Sequence, residues 1–198
     1  MRAALTNQTE RRPALVVLAG PEGSGKTTFY DRKLREAFPA LVTPGPKAGS
    51  GRTEQNALLQ QGSSFVNKDI SVDTTLLSHA KAAGYVTRVI FISTEDPNLN
   101  VGRVLLRISQ GGALVPLASI PGSYDRAHGN LKQISKLVDD LMLLDNTLNG
   151  RSHRLVARFT GGELIKVARS VPQWAERVFG EEFNLWRAKY HLRKVRDR

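Results

Sequence analysis

The segment Gly20-Pro21-Glu22-Gly23-Ser24-Gly25-Lys26-Thr27-Thr28 constrains this chain more than any other. It satisfies the pattern G-x-x-x-x-G-K-[ST], follows the uninterrupted apolar run Ala14 to Ala19, and opens a helical pattern that runs to about Phe38, where Pro39 stops it. Glycines let a loop turn its backbone N–H groups inward around a polyphosphate, and the start of the following helix adds its positive end. On this reading Gly20 through Thr28 cradle ATP, Lys26 reaches the β and γ phosphates, and the Thr27 hydroxyl ligates Mg2+. The bland alternative is a glycine-rich turn beside an incidental lysine. The strand before the loop and the helix after it argue against that.

The rest of the chain supplies the alternation such a loop needs. Residues 1–12 read as a polar leader, 13–180 as one domain, and 181–198 as a basic helix or tail. Ala14 to Ala19 is a buried, parallel type of strand, bounded by Gly20 and Pro21. Residues 43–51 form a Pro/Gly/Ser loop, followed by a helix over Arg52 to Gln61 and a short strand around Ser64 to Val66. Asp73 caps a helix that Gly84 ends, and Tyr85 to Ser93 is the clearest strand. Leu99 to Gln110 is an arginine-bearing helix, Tyr124 to about Asp139 reads helical, and Leu141 to Leu144 and 154–159 read as strands before a helical C-terminus. The pattern predicts an α/β fold: a P-loop NTPase or kinase-like parallel sheet with helices on both faces.

Composition narrows the function classes. A chain of 198 residues with no cysteine excludes disulfide and zinc-thiolate chemistry, and no apolar run is long enough to span a bilayer. A cytoplasmic setting is the expectation. Lysine and arginine exceed the acids by 29 to 18, unevenly: 17 against 13 in residues 1–150, and 12 against 5 in residues 151–198. A basic surface of this kind suits anionic partners, among them nucleotides, phosphorylated metabolites, nucleic acid or an acidic protein, without choosing among them. The small size favours phosphate transfer to a small acceptor over motor machinery. Asn67-Lys68-Asp69 does not have the spacing of a guanine-reading element.

Beyond the phosphate loop, the order of motifs resembles the zeta-toxin family of P-loop kinases. RTEQNALLQQGSSF from Arg52 to Phe65 is similar to the family's helix leading into a G-x-S-F strand, and AKAAGYVTRVIFI from Ala80 to Ile92 to its A-K-x-x-G-Y strand. RVLLRISQGGALVP from Arg103 to Pro116 resembles the lid, Tyr124, Arg126, Asn130 and Leu131 fit the segment after it, and Asp145-Asn146-Thr147 fits a D-N-[ST] strand end. The resemblance implies an ATP-dependent kinase with a small anionic acceptor such as a nucleotide sugar, and an acidic antitoxin as a protein partner. Arg103 and Arg107 stand at i, i+4 spacing on one helix face, where two guanidinium groups clamp phosphates; the bland reading is a solvated basic face.

The departures lie at the acceptor chemistry. Where the family carries an N-x-D element this chain reads Val42-Thr43-Pro44-Gly45, the lid histidine position is Ala113, the arginine before the tyrosine is Ser123, and Lys68-Asp69 stands in place of an E-T pair. Asp69 is therefore the candidate general base, or else a loop or capping aspartate. Asp145 is either a metal-facing strand aspartate or a cap, and Asp73 reads as a cap. His79, His128, His153 and His191 lack metal spacing and read as surface residues, Trp174 and Trp186 as packing. The alternative function is a decayed nucleotide-binding module whose basic surface engages a protein or nucleic acid.

Overall fold

A computed structural model of the chain describes residues 12–43, 50–148 and 153–196, with side chains as far as residue 189. The leader (1–11), most of the 43–51 loop and the charged end of the tail, with His191, lie outside the described residues or side chains.

Strand β1 (Ala14–Ala19) lies at the centre of a seven-stranded sheet with β2 (Leu41–Val42), β3 (Phe65–Lys68), β4 (Val86–Ser93), β5 (Asp140–Asp145), β6 (Arg154–Thr160) and β7 (Glu163–Val167), in the order β2-β3-β1-β4-β5-β6-β7. Five strands are parallel, with Leu18 opposite Lys68 on one side of β1 and Ile90 on the other. The expected parallel sheet is present, and the remaining two strands extend it as an antiparallel edge. The reason is local. Gly161 and Gly162 adopt φ of 55° and 84°, a two-residue turn that folds β7 straight back on β6, and parallel pairing would have required a long crossover.

Period-two alternation sorts the β1 side chains between two cores. Leu15, Val17 and Ala19 face one side with Phe65, Val89, Phe91, Leu141 and Leu143. That side is covered by α3 (Thr74–Ala82), α5 (Ser119–His128), α6 (Leu131–Leu137) and α7 (Gln173–Arg196), whose Leu77, Ala127, Ile134 and Trp174 are buried there. Val16 and Leu18 face the other side with Ile90, Ile92 and Leu144. There they meet Phe29, Tyr30 and Leu34 from α1 (Lys26–Phe29) and the π-helical turn Tyr30–Leu34 that extends it. Helices α2 (Ser50–Gln60) and α4 (Pro97–Ser109) complete the set.

Several local expectations hold: the Asp73 carboxylate accepts from Thr75 N at 2.8 Å and Leu76 N at 3.3 Å, and Gly84 follows α3 at φ 80°. The helix expected over 124–139 is two, α5 and α6, broken at Gly129 and Asn130. The span α7 is kinked at Phe179, where φ is -124° and ψ 18°, and the buried Phe183 ring lies 6.0 Å from the Phe179 ring. Among the described residues no helix is long and apolar enough to cross a membrane.

Candidate functional site

The first three strands of the chain build one side of the sheet and β4 and β5 the other, so the chain reverses direction across the sheet at β1. Ligands of open α/β sheets bind at such a switch point, outside the carboxyl ends of the strands. The loop Gly20–Thr28 occurs there, held by Gly20 N donating to Ile70 O at 3.0 Å. Gly25 has φ 98°, and a β-carbon on it would run into the Asn146 amide, so this position requires glycine. Asn146 itself fastens the loop to the end of β5, its Nδ2 donating to Ser24 O at 2.8 Å.

The loop opens on a cavity of about 1060 Å3, at the upper end of ligand-site volumes and roomy enough for a nucleotide with a second small molecule. Glu22 through Thr28, Asp69, Arg103 and Arg107 all line it. Gly20 and Pro21 act from behind: their carbonyls accept from Lys26 Nζ at 2.5 and 2.9 Å. Burial pushes the Lys26 ammonium down to about 8; Lys68 and Arg107 push in the same direction, and Glu22 and Asp69 oppose them. Ser24 also lines the cavity, with its hydroxyl buried and without a hydrogen-bond partner. These features fit a polyphosphate.

Asp69 follows β3 directly, and its backbone N donates to Leu18 O at 3.1 Å, which sets it beside the phosphate loop. Burial raises its pKa, opposed by the Ile70 N–H, which donates to Asp69 Oδ1 at 2.7 Å, and by Lys26. Thr43, just after β2 in the segment Val42-Thr43-Pro44-Gly45 that stands in place of the N-x-D element, lines the same cavity. The lid helix α4 begins at Asp96, which accepts from Asn98 N at 2.8 Å, and its buried Asn100 accepts from the Thr94 hydroxyl at 2.6 Å. Arg103 projects from it to donate to Asn146 O at 2.8 Å, and burial lowers the guanidinium pKa while Asp145 opposes the fall.

Four side chains that the sequence did not single out for the site also line it: Lys68, Arg32, Asn146 and His153. For Lys68, Asn146 and His153 the signal was tertiary, since the sheet order decides what stands beside the loop; Arg32 lies in the helical stretch directly after the loop. Two histidines expected at the surface are corrected. His153 packs edge-on against Phe29 at 5.1 Å, with burial depressing its pKa, because β6 enters the sheet beside the phosphate loop. His128 is packed among Phe91, Tyr124 and Trp174, with Nδ1 at 2.7 Å from Tyr124 O. Asp145 is held by the Thr147 hydroxyl at 2.5 Å and by Arg154 at 3.2 Å, a structural arrangement at the strand end.

Thr27, the residue expected to ligate Mg2+, accepts a hydrogen bond from Lys68 Nζ at 3.1 Å. The arrangement holds an ammonium on the oxygen that the metal needs. The lining thus fits the phosphates of a nucleotide, and the Thr27 hydroxyl is engaged by an ammonium.

No protein-family model matches the chain, and no curated protein does. Solved structures do. The AvrRxo1-ORF1:-ORF2 complex with ATP superposes with a TM-score of 0.65 at 16% identity, covering 89% of this chain and 68% of that one. The same complex with sulphate ions gives 0.59, also at 16% identity and the same coverages. A structure from the PezAT chromosomal toxin-antitoxin system of Streptococcus pneumoniae gives 0.52 at 17% identity, covering 100% and 96%. The fold is the α/β P-loop kinase-like fold. The resemblance to zeta-toxin-like kinases read from the motifs thus has its counterpart in the architecture.

Proposed function

We propose that the chain is an ATP-dependent phosphotransferase that moves the γ-phosphate to a hydroxyl of a small anionic acceptor, a nucleotide sugar by resemblance. The observation that carries this reading is the convergence of the phosphate loop, Asp69, Arg103 and Arg107 on one cavity. The likeness to a complex solved with ATP supports it at the level of fold.

Asp69 takes the proton from the acceptor hydroxyl as its oxygen attacks the γ-phosphorus. The bond from that phosphorus to the β,γ-bridging oxygen breaks, and ADP leaves with the electron pair. A carboxylate of raised pKa is the stronger base once ionised. Lys26 and the two arginines offset the negative charge spread over the transferring group. In P-loop sites Mg2+ ordinarily supplies further charge neutralisation on the phosphates. Arg32 and Lys68 bring the charged residues of the lining to five cations against Glu22 and Asp69, which favours an anionic acceptor. A cytoplasmic setting and an acidic protein partner belong to the same proposal, the second supported by the toxin-antitoxin system among the structural neighbours.

The experiment is transfer of labelled γ-phosphate from ATP, with and without Mg2+, to a panel of nucleotide sugars and polyols, with Lys26→Ala and Asp69→Asn beside the wild type. The expected outcome is labelled product from the wild type, no product from Lys26→Ala, and ATP binding without product from Asp69→Asn. One observation favours a second reading, a decayed nucleotide-binding module: Asp69 Oδ1 is already engaged by its own turn, and Thr43 offers no replacement carboxylate. Wild-type ATP binding with no product on any acceptor would decide for that module.

A further inference from the structure

Lys68 enters the scheme above only as one of five lining cations, yet its placement is specific. Along β3, Val66 belongs to the core shared with Phe29 and Tyr30, so Lys68, two residues on, projects from the same face of the sheet. That face carries α1, and the Lys68 ammonium reaches Thr27 at its first turn, with Nζ 3.1 Å from Oγ1. Both residues line the cavity, and Lys68 is close enough to Lys26 to depress its pKa.

This is the position at which a P-loop hydroxyl gives its lone pair to Mg2+. One of the two hydroxyl lone pairs is directed at the ammonium, and a divalent cation taking the other would lie beside that ammonium and suffer like-charge repulsion. An ammonium has three N–H donors, so Lys68 can keep Thr27 and still give two to phosphate oxygens. Lysine binds phosphate as a compact point charge, which suits bridging two neighbouring phosphoryl groups.

We propose that Lys68 is a second phosphate-binding lysine that takes the place of the divalent cation at Thr27, so that this chain binds a nucleoside triphosphate without Mg2+. The inference rests on the nucleotide reading of the cavity. It goes beyond that reading in assigning to a side chain the charge that a metal ordinarily carries.

The test is calorimetric titration of the full chain with ATP, once in excess EDTA and once in excess Mg2+, for the wild type, Lys68→Met and Lys68→Arg, each first checked for folding by circular dichroism. The wild type is expected to bind ATP in EDTA within about threefold of its affinity in Mg2+. Losing a charge-assisted contact, Lys68→Met should bind about tenfold or more weakly in EDTA and recover most of that loss when Mg2+ is added. Lys68→Arg keeps a charge and should retain metal-free binding. A wild type whose affinity collapses in EDTA overturns the inference while leaving the nucleotide reading intact, and so does an equal loss for Lys68→Met in both buffers. No ATP binding by the folded wild type in either buffer would instead overturn the nucleotide reading and this inference with it.

Discussion

Burying an amine is costly, and Lys26 carries that cost for the sake of the phosphate loop. Its pKa falls from 10.5 to about 8 on folding, chiefly by desolvation. Between those values the unfolded chain binds a proton at this site that the folded chain does not, so unfolding free energy rises with pH across the window. Below about pH 8 the penalty is present in full, about 3 kcal/mol from the shift. Lys26→Met lacks it at every pH. Urea denaturation of both proteins at about pH 7 and about pH 10 should therefore show the wild type gaining roughly 2–3 kcal/mol on the variant. An unchanged gap between the two would mean that the amine is not desolvated. The same amine is the group that ATP needs charged, so stability and binding pull Lys26 in opposite directions.

At the scale of elements, side-chain caps decide where α3 and α4 begin. Asp73 starts α3 by accepting two backbone N–H groups, and it lies 3.8 Å from the exposed Arg52 guanidinium, too long and too solvated to contribute much. Asp73→Ala should cost about 1 kcal/mol in denaturant unfolding, while Asp73→Asn, which keeps an acceptor oxygen, should cost only a few tenths. Equal losses in both would assign the effect to charge. On the lid, α4 places Arg103 and Arg107 one turn apart, and the first of them is tied to the end of β5 through Asn146. The Asn146 side chain holds the phosphate loop at the same time, so one residue couples lid and loop.

At the scale of the whole molecule, part of the net charge of +11 is gathered at one place. Lys26, Arg32, Lys68, Arg103 and Arg107 come from three separate segments of the chain and line a single cavity. Attraction of that kind is screened by salt. ATP affinity should fall by roughly tenfold between ~0.05 M and ~0.5 M NaCl, whereas adenosine, which has no phosphates, should show little change. A flat ATP response in equilibrium binding would remove the basic cavity as the source of affinity. The sheet also explains why β1 has to be apolar throughout: it is flanked by strands on both edges and by cores on both faces, and its five residues from Leu15 to Ala19 are completely buried.

Much of this was readable in one dimension. The phosphate loop, the strand before it and the helix after it are local, because glycine placement, apolar runs and capping act over a few residues. The Asp73 cap, the strand over 86–93 and the arginine-bearing lid helix have the same origin. The hairpin was equally local, and Gly161-Gly162 between Arg154–Thr160 and Glu163–Val167 is the signal that would have revealed it. What a strand's neighbours are, by contrast, depends on contacts between residues far apart in sequence. Only the order β2-β3-β1-β4-β5 brings Lys68 to Thr27 and Asn146 to Ser24, across 41 and 122 residues. The sequence by itself determined that a polyphosphate loop would form; the tertiary structure decided which charges face it, because a side chain's partners are set by where the sheet carries it.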